Sequence, residues 1–191
     1  MLIQEIAKKG TAYDPTLVVI DSFSRIAKRD TSLLEDPLAR QTISAKLLGK
    51  MREWIRTTDL LADAAQIPPL KDIPATKNLQ DVYKAGVPLV LGTDAGNVGT
   101  FHGAAVHREM ELWQEAGIAP ADILKAATGN AAKLLQAENR IGKVAKGFDA
   151  SLLLVDGNPL DDIRGTRRIS DVFFKGERVR RSNLFVPAED Q

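Results

Sequence analysis

Two short apolar runs without polar alternation mark the first half of the chain. Thr16–Ile20 follows Pro15, and Val87–Thr93 begins directly after a helical pattern that ends at Gly86. Runs of this kind are typical of strands that are covered on both faces, as in a parallel sheet. We therefore predict buried strands at Thr16–Ile20 and Val87–Thr93.

Helical periodicity occupies most of the chain around these runs. Apolar residues spaced three to four apart predict helices over residues 1–9, 78–85 and 103–116. A further helix begins at Pro120, and Gly129 is expected to kink or divide it. Helices that alternate with buried strands indicate an α/β fold.

A longer helical stripe begins at Asp36-Pro37, which have the residue types of an N-cap and a first helical position. The stripe continues to Ala65. It predicts either one long helix or two helices, with an interruption near Gly49 or near Thr57-Thr58.

The pattern changes after Gly147, where short apolar runs at 151–155, 169–175 and 177–181 replace the helices. Only Gly176 separates the last two runs. We therefore predict short strands here, with a hairpin at Gly176.

The change of pattern also predicts two domains. A chain of 191 residues corresponds to one domain with an appendage, or to a piece of something larger. We place the boundary near 137–147, with β/α layers over residues 1–140 and a small β module over residues 141–191.

Composition narrows the function classes. With 44% hydrophobic and 27% charged residues and a net charge of +1, the chain is neither a disordered protein nor a typical nucleic-acid binder. The absence of cysteine excludes disulfides, thiolate zinc sites and cysteine nucleophiles. No apolar stretch approaches the roughly 18 residues that span a bilayer. The first ten residues do not have the features of a signal peptide, which favours a cytoplasmic chain.

The strongest candidate for chemistry is Asp94, within Gly92–Gly96. A carboxylate at the end of a buried parallel strand, followed by a glycine-rich loop, lies where such sheets bind ligands. Asp94 can there hold a divalent cation and accept a proton from water. The alternative is a turn former or a helix cap, which is a common role for Asp before Gly. The loop matches neither common phosphate-binding motif.

The two histidines, His102 and His107, do not form a metal pair. They are five residues apart, about 140° around a helix, and cannot converge on one ion. His102 precedes the helix that begins near Gly103 and lies on the same rim as Asp94, so it either contacts a substrate or has a structural role. His107 is expected to face solvent beside Glu111.

Eight motifs along residues 1–181 occur together, in this order and spacing, in one family of enzymes. They are Gly10–Leu17, Ala85–Gly96, Phe101–Gly103, Glu111–Leu112, Ala116–Pro120, Ala126–Ala132, Ile141–Val144 and Asp156–Leu160. On these motifs the chain resembles the C-terminal part of the metal-dependent amidohydrolase superfamily, in particular its imidazolonepropionase and Xaa-Pro dipeptidase-like branch.

The resemblance implies a fold: an α/β chain that forms the C-terminal portion of a TIM-like (β/α)8 barrel, with two βα units, plus part of a small β-sandwich. Thr16–Ile20 would be the seventh barrel strand and Val87–Thr93 the eighth. Strands within 151–181 would belong to the sandwich.

The resemblance also implies a reaction and two site residues. In such enzymes a metal-bound hydroxide hydrolyses a C–N bond of an amide, a cyclic amide or a dipeptide. Asp94 resembles the eighth-strand aspartate that binds the metal and takes the proton of the attacking water. His102 resembles the histidine that faces the substrate.

The other ligands of the family, which are histidines and a carboxylated lysine or a glutamate, have no equivalents in this sequence. The intact enzyme would hold a divalent metal, zinc being the expected ion, but one carboxylate should not hold zinc tightly. We therefore expect this chain to be inactive alone and to need the missing N-terminal half or self-association. The partner would be a small-molecule or dipeptide substrate, not nucleic acid or a membrane. The alternative is a non-catalytic relic or assembly module that binds no metal.

Overall fold

The computed structural model describes residues 2–60 and 62–185. Its α-helices are α1 (Leu2–Lys9), α2 (Leu17–Ala27), α3 (Pro37–Thr42), α4 (Ala45–Thr57), α5 (Pro74–Lys84), α6 (Ala104–Glu115), α7 (Pro120–Lys125) and α8 (Ala131–Leu134). Its strands are β1 (Leu152–Val155), β2 (Ile169–Phe174) and β3 (Glu177–Val179). Short 3-10 helices are Ser32–Glu35, Ala62–Gln66, Leu70–Asp72, Ile163–Arg167 and Arg181–Leu184. In this described part, no helix combines the length and the hydropathy that crossing a membrane requires.

Most predicted helices are confirmed, within a residue or two at most ends. The patterns over 1–9, 78–85 and 103–116 correspond to α1, α5 and α6. The prediction that Gly129 divides a helix is also confirmed, because a π-helical turn, Ala126–Asn130, separates α7 from α8.

The stripe that begins at Asp36 forms two α-helices, and the chain between them is interrupted at 43–44, where no interruption was predicted. Asp36 caps α3, its Oδ1 accepting the Leu38 N–H at 2.8 Å. The chain breaks before α4, where the Ser44 side chain caps the new helix. Gly49 lies inside α4, so the chain is not interrupted there, whereas the predicted interruption near Thr57-Thr58 is confirmed, because α4 ends at Thr57. Residue 61 and the side chain of residue 65, which belong to the predicted stripe, lie outside the residues that the structure describes.

The prediction of a strand at Thr16–Ile20 is wrong, because α2 begins at Leu17. Thr16 has a left-handed backbone with φ of 46°, which ends the extended segment before it. Leu17 and Val18 are buried as predicted, but in the first turn of a helix, whereas Val19 and Ile20 are half-buried. A run of five apolar residues has no period that separates a buried strand from a buried helix.

The extended segment lies a few residues earlier, at 11–14, and it pairs with the predicted strand Val87–Thr93. Tyr13 and Leu89 form a parallel bridge. The Tyr13 N–H donates to the Pro88 carbonyl at 2.9 Å, and the Val90 N–H donates to the Tyr13 carbonyl at 3.1 Å. In the described part, Val87–Thr93 makes this one parallel bridge at Leu89 and no continuous ladder, so the prediction of a regular strand there is wrong.

The carboxylate of Glu109, on α6, holds the start of α2. Its Oε1 accepts the Leu17 N–H at 2.9 Å, and its Oε2 accepts the Val18 N–H at 2.6 Å. The Trp113 indole N–H donates to Oε1 at 2.7 Å. Glu109 and Trp113 are both fully buried. A carboxylate from a distant helix thus satisfies two of the N–H groups that the first turn of α2 leaves without a partner.

Burial also changes how Glu109 titrates. Removal from water raises the pKa of this carboxyl to about 7, against the opposing effect of its three hydrogen-bond donors. The carboxyl therefore takes up a proton in the folded protein at a higher pH than in the unfolded chain.

The main core surrounds this contact. Its buried residues come from α2, α5, α6, α7, the extended segment and the 3-10 helix Ile163–Arg167, and they include Leu17, Leu79, Leu89, Trp113, Ile123 and Ile163. A second, smaller cluster joins α2 to α4 through Ile26, Leu34, Leu48 and Ile55.

The π-helical turn fixes the extended segment from the other side. The side-chain amide of Asn130 donates to the Leu89 carbonyl at 2.8 Å. Gly142 packs closely against this turn. It has φ of 92°, and a Cβ there would lie 2.6 Å from the Cβ of Ala132. Only glycine fits both this φ and this contact.

The three strands form one antiparallel sheet in the order β1-β2-β3. Leu153 faces Val172, which in turn faces Val179. The turn between β2 and β3 is formed by Lys175 and Gly176, with φ of 51° and 89°. The predicted short strands and the hairpin are therefore confirmed.

His107 connects α6 to the C-terminal part, and the prediction that it faces solvent is wrong. It is buried, and its Nδ1 lies 2.9 Å from Thr166 Oγ1. The Thr166 hydroxyl donates its one proton to the Ile163 carbonyl at 2.8 Å, so His107 must be the donor to Thr166. Burial, together with the nearby Arg167, lowers the pKa of His107 and favours the neutral ring.

A chain of half-buried ion pairs links the same elements. It joins α2, α6, the 3-10 helix Ile163–Arg167 and the N-cap of α3, with N···O distances from 2.6 to 3.5 Å. In order, its members are Arg25, Asp21, Arg108, Glu111, Arg167 and Asp36.

We predict that Glu109→Ala lowers the free energy of unfolding by about 3 kcal/mol or more, because it leaves three buried N–H donors without an acceptor. Urea unfolding measures the loss. Glu115→Ala is the matched control on the same helix. Its carboxylate is exposed and pairs with Arg108, so the control should lose less than about 1 kcal/mol. Equal losses in the two variants would contradict the capping role.

We also predict a pH dependence that Glu109→Gln removes. The carboxyl titrates at its ordinary value of 4.5 in the unfolded chain and at about 7 when folded, so the folded state binds more protons between these values. The contribution of Glu109 to stability is full below pH 4.5 and is lost as the pH rises through 7. Unfolding at pH 5, 6, 7 and 8 should show the original chain losing stability relative to Glu109→Gln. A constant difference would refute the prediction.

Candidate functional site

Asp94 lies at the carboxyl end of the extended segment 87–93 and begins a tight loop. Its backbone is left-handed, with φ of 48°, and its carboxylate is exposed. Asp94 Oδ2 accepts the side-chain amide of Asn97 at 3.2 Å, and the Asp94 carbonyl accepts the Asn97 N–H at 3.2 Å. Asp94 therefore shapes the turn and also presents an exposed carboxylate at the rim.

The loop is closed by two further backbone hydrogen bonds. The Gly96 N–H donates to the Thr100 carbonyl at 3.0 Å, and the Thr100 N–H donates to the Asn97 carbonyl at 2.9 Å. These bonds fold residues 94–100 into a compact unit, which carries the chain from the rim to α6.

A second carboxylate, Asp14, lies on the same rim. It follows the extended segment 11–14, and its Oδ1 accepts the Gly92 N–H at 3.2 Å and the Thr16 hydroxyl at 3.0 Å. A Cβ on Gly92 would lie 1.9 Å from Asp14 Oδ2, so a larger residue there would displace the Asp14 carboxylate. Asp14 and Asp94 line one open depression together with Thr16, Val19, Ile20, Gly92 and Thr93.

Sequence reasoning missed Asp14 as a site residue. It placed the strand at Thr16–Ile20, which puts Asp14 before the strand instead of after it. The available signal was the order of residues: Asp14 follows an extended segment in the same way as Asp94 follows 87–93. Parallel neighbours bring such residues to one edge.

His102 is exposed just before α6, whose N-cap is Gly103. The ring lies across the loop from Asp94, and its Nε2 is 4.0 Å from the position that a Cβ on Gly96 would take. His102 and Asp94 thus belong to the same loop, at its two ends.

The described residues of this chain do not form a complete metal centre. Across residues 2–60 and 62–185, no three His, Asp or Glu side chains lie close enough together to hold an ion. Catalytic zinc sites use three protein ligands and leave one position for water. The rim offers the carboxylates Asp14 and Asp94, so any metal bound here would need ligands from outside these residues.

Comparison with known proteins identifies relatives of this chain. Residues 10–179 match the Amidohydrolase family. The chain is 33% identical over 90 residues to ochratoxinase of Aspergillus niger, which is 46% of this chain and 18% of that protein.

Solved structures of the same kind match the fold. A crystal structure of a Xaa-Pro dipeptidase with bound methionine in the active site superposes with a TM-score of 0.63 at 24% identity, covering 93% of this chain and 36% of that chain. Aspergillus niger ochratoxinase superposes with a TM-score of 0.55 at 25% identity, covering 91% of this chain and 32% of that chain. The chain therefore spans about a third of the length of these structures.

We predict that Gly92→Ala destabilises the protein by about 1 to 3 kcal/mol, because the new methyl group overlaps the Asp14 carboxylate. Asp14→Ala in the same chain should remove most of this cost. A double-mutant cycle by urea unfolding measures the coupling between the two positions. Additive effects would show that Asp14 and Gly92 are not in contact.

Proposed function

The chain belongs to the amidohydrolase family, and from this premise we propose that it supplies the C-terminal part of a metal-dependent hydrolase that cleaves a C–N bond in an amide, a cyclic amide or a dipeptide. One observation carries the proposal. Asp94 ends an extended segment that runs parallel to 11–14, in a chain whose residues 10–179 match the family. The edge where parallel segments end is the edge at which α/β folds place their active sites.

The fold of the chain is that of the amidohydrolases, since relatives of this fold cover more than 90% of it. We further propose that segments 11–14 and 87–93 are neighbouring strands of a TIM-like barrel, with β1, β2 and β3 as part of a small sandwich. In this arrangement residues 1–140 belong to the barrel and 141–191 to the sandwich. The remaining strands would come from another part of the protein or from a partner.

We assign Asp94 two roles in the intact enzyme: one oxygen ligand for a divalent metal, zinc being the expected ion, and acceptor of the proton from the attacking water. Its exposed carboxylate on the rim supports both roles. His102, at the other end of the loop, would contact the substrate. Asp14 would hold the segment before Asp94 in place through the Gly92 N–H.

The alternative is a non-catalytic relic or an assembly module of the same fold that binds no metal. The described part of the chain has an incomplete set of metal ligands, and this fits the alternative as well as it fits the hydrolase proposal. The two proposals differ in what Asp94 does once the fold is complete.

We predict that Asp94→Asn in the complete enzyme lowers kcat/KM for hydrolysis of N-acyl amino acids or dipeptides by about 10²- to 10⁴-fold, because the amide cannot take up the proton. Asp162→Asn is the matched control. Asp162 caps the 3-10 helix Ile163–Arg167, where asparagine caps as well, and the control should keep its activity. Normal turnover by Asp94→Asn would remove Asp94 from catalysis.

Elemental analysis of the same samples separates the alternatives. The complete enzyme should contain a divalent metal, and Asp94→Asn should weaken the binding of that metal. The 191-residue chain alone should retain less than one equivalent. A complete enzyme that contains no metal and has no activity would favour the relic or the assembly module.

A further inference from the structure

An apolar cavity of about 820 Å³ opens beside His102, between α4 and the loop that follows Asp94. Its volume lies within the range of small-molecule sites, roughly 300–1,000 Å³. Most of its side chains are apolar: Ile43, Met51, Trp54, Val98 and Phe101. Met51 and Trp54 were part of the predicted helical stripe, and the structure leaves both of them half-buried.

One polar group in the wall has no partner. Thr100 lines the cavity and is 2% exposed, and its Oγ1 has no hydrogen bond within the described structure. A buried hydroxyl without a partner is unfavourable, and buried polar groups in proteins are almost always hydrogen-bonded. A polar atom of a ligand would supply the missing bond.

The charge around the cavity indicates what kind of group it accepts. Among its described lining residues there is no Lys, Arg, Asp or Glu. A neighbouring groove shares Gly99 and Phe101 with it, but that groove is lined by Arg25, Asp21, Arg108 and Glu111, which pair with one another. The charged side chains of the groove therefore neutralise one another. A charged group of a ligand would find no such partner in the apolar cavity, and burying it there would be costly.

We propose that this cavity binds an uncharged apolar side group of the substrate. Met51 and Trp54 contact that group and determine specificity, and Thr100 Oγ1 bonds an amide group of the substrate. The assignment rests on the proposed function. The occupant is taken to be part of the substrate because the cavity lies beside His102, which the proposed function places against the substrate.

Binding to the 191-residue chain tests the proposal without turnover. The protein is labelled with 5-fluorotryptophan, which gives one 19F NMR signal for Trp54 in the cavity and one for the fully buried Trp113. N-acetyl-L-phenylalaninamide should shift the Trp54 signal saturably, and N-acetylglycinamide should bind at least tenfold more weakly. The Trp113 signal should stay unchanged and report that the chain is folded.

Variants on one helix provide the controls. Met51→Arg should abolish the shift of Trp54, whereas Leu47→Arg, at a position on α4 that is 49% exposed and outside the cavity, should leave it intact. Thr100→Val, which keeps the shape and removes the hydroxyl, should weaken binding by roughly three- to tenfold.

Equal or absent responses to the two amides would overturn the proposal, and so would unchanged binding by Met51→Arg. A Trp54 signal that shifts with protein concentration in the absence of ligand would also overturn it, because the cavity would then be a contact between copies of the chain. The assay measures binding to the 191-residue chain without turnover, so its result does not depend on whether Asp94 is catalytic. Loss of the catalytic role of Asp94 and loss of the cavity as a binding site are therefore separate results.

Discussion

The burial of Glu109 is the constraint on which the rest of the structure depends. A fully buried carboxylate is tolerated only where donors surround it, and here the donors are the first two N–H groups of α2 and the indole of Trp113. This contact sets where α2 begins, and therefore where the extended segment before it ends. Asp14 lies at that end, facing Gly92, and the rim with Asp94 follows from it.

A second set of polar contacts fixes the C-terminal part to the same helix. His107 donates to Thr166, while Glu111 and Asp36 both bind Arg167. Because α6 carries Glu109, His107 and Glu111, one helix positions α2 on one side and the 3-10 helix Ile163–Arg167 on the other. The loop that lines the cavity beside His102 leads directly into this helix, so one end of the loop is held in a fixed position.

Much of this arrangement could be predicted from local signals, and the rest depended on contacts that are distant in sequence. The N-cap at Asp36, the division of a helix at Gly129 and the hairpin at Gly176 are local features with their own residue signatures. The start of α2 depends on Glu109, 92 residues away, and so a run of apolar residues was interpreted as a strand. The burial of His107 depends on its contact with Thr166, 59 residues away, which no local sequence pattern indicates. For the site, the sequence placed Asp94 and His102 on one loop, but Asp14 and the cavity became visible only through packing.

The π-helical turn at Ala126–Asn130 has a consequence for how the chain can change in length. Asn130 reaches the Leu89 carbonyl because the turn there is wider than an α-helical one. Deleting a single residue between 126 and 129 would restore regular winding and rotate Asn130 by about 100° away from that carbonyl. Homologues that differ in length at this point should therefore carry a compensating donor elsewhere, whereas substitutions that keep the spacing leave Asn130 in contact with the Leu89 carbonyl.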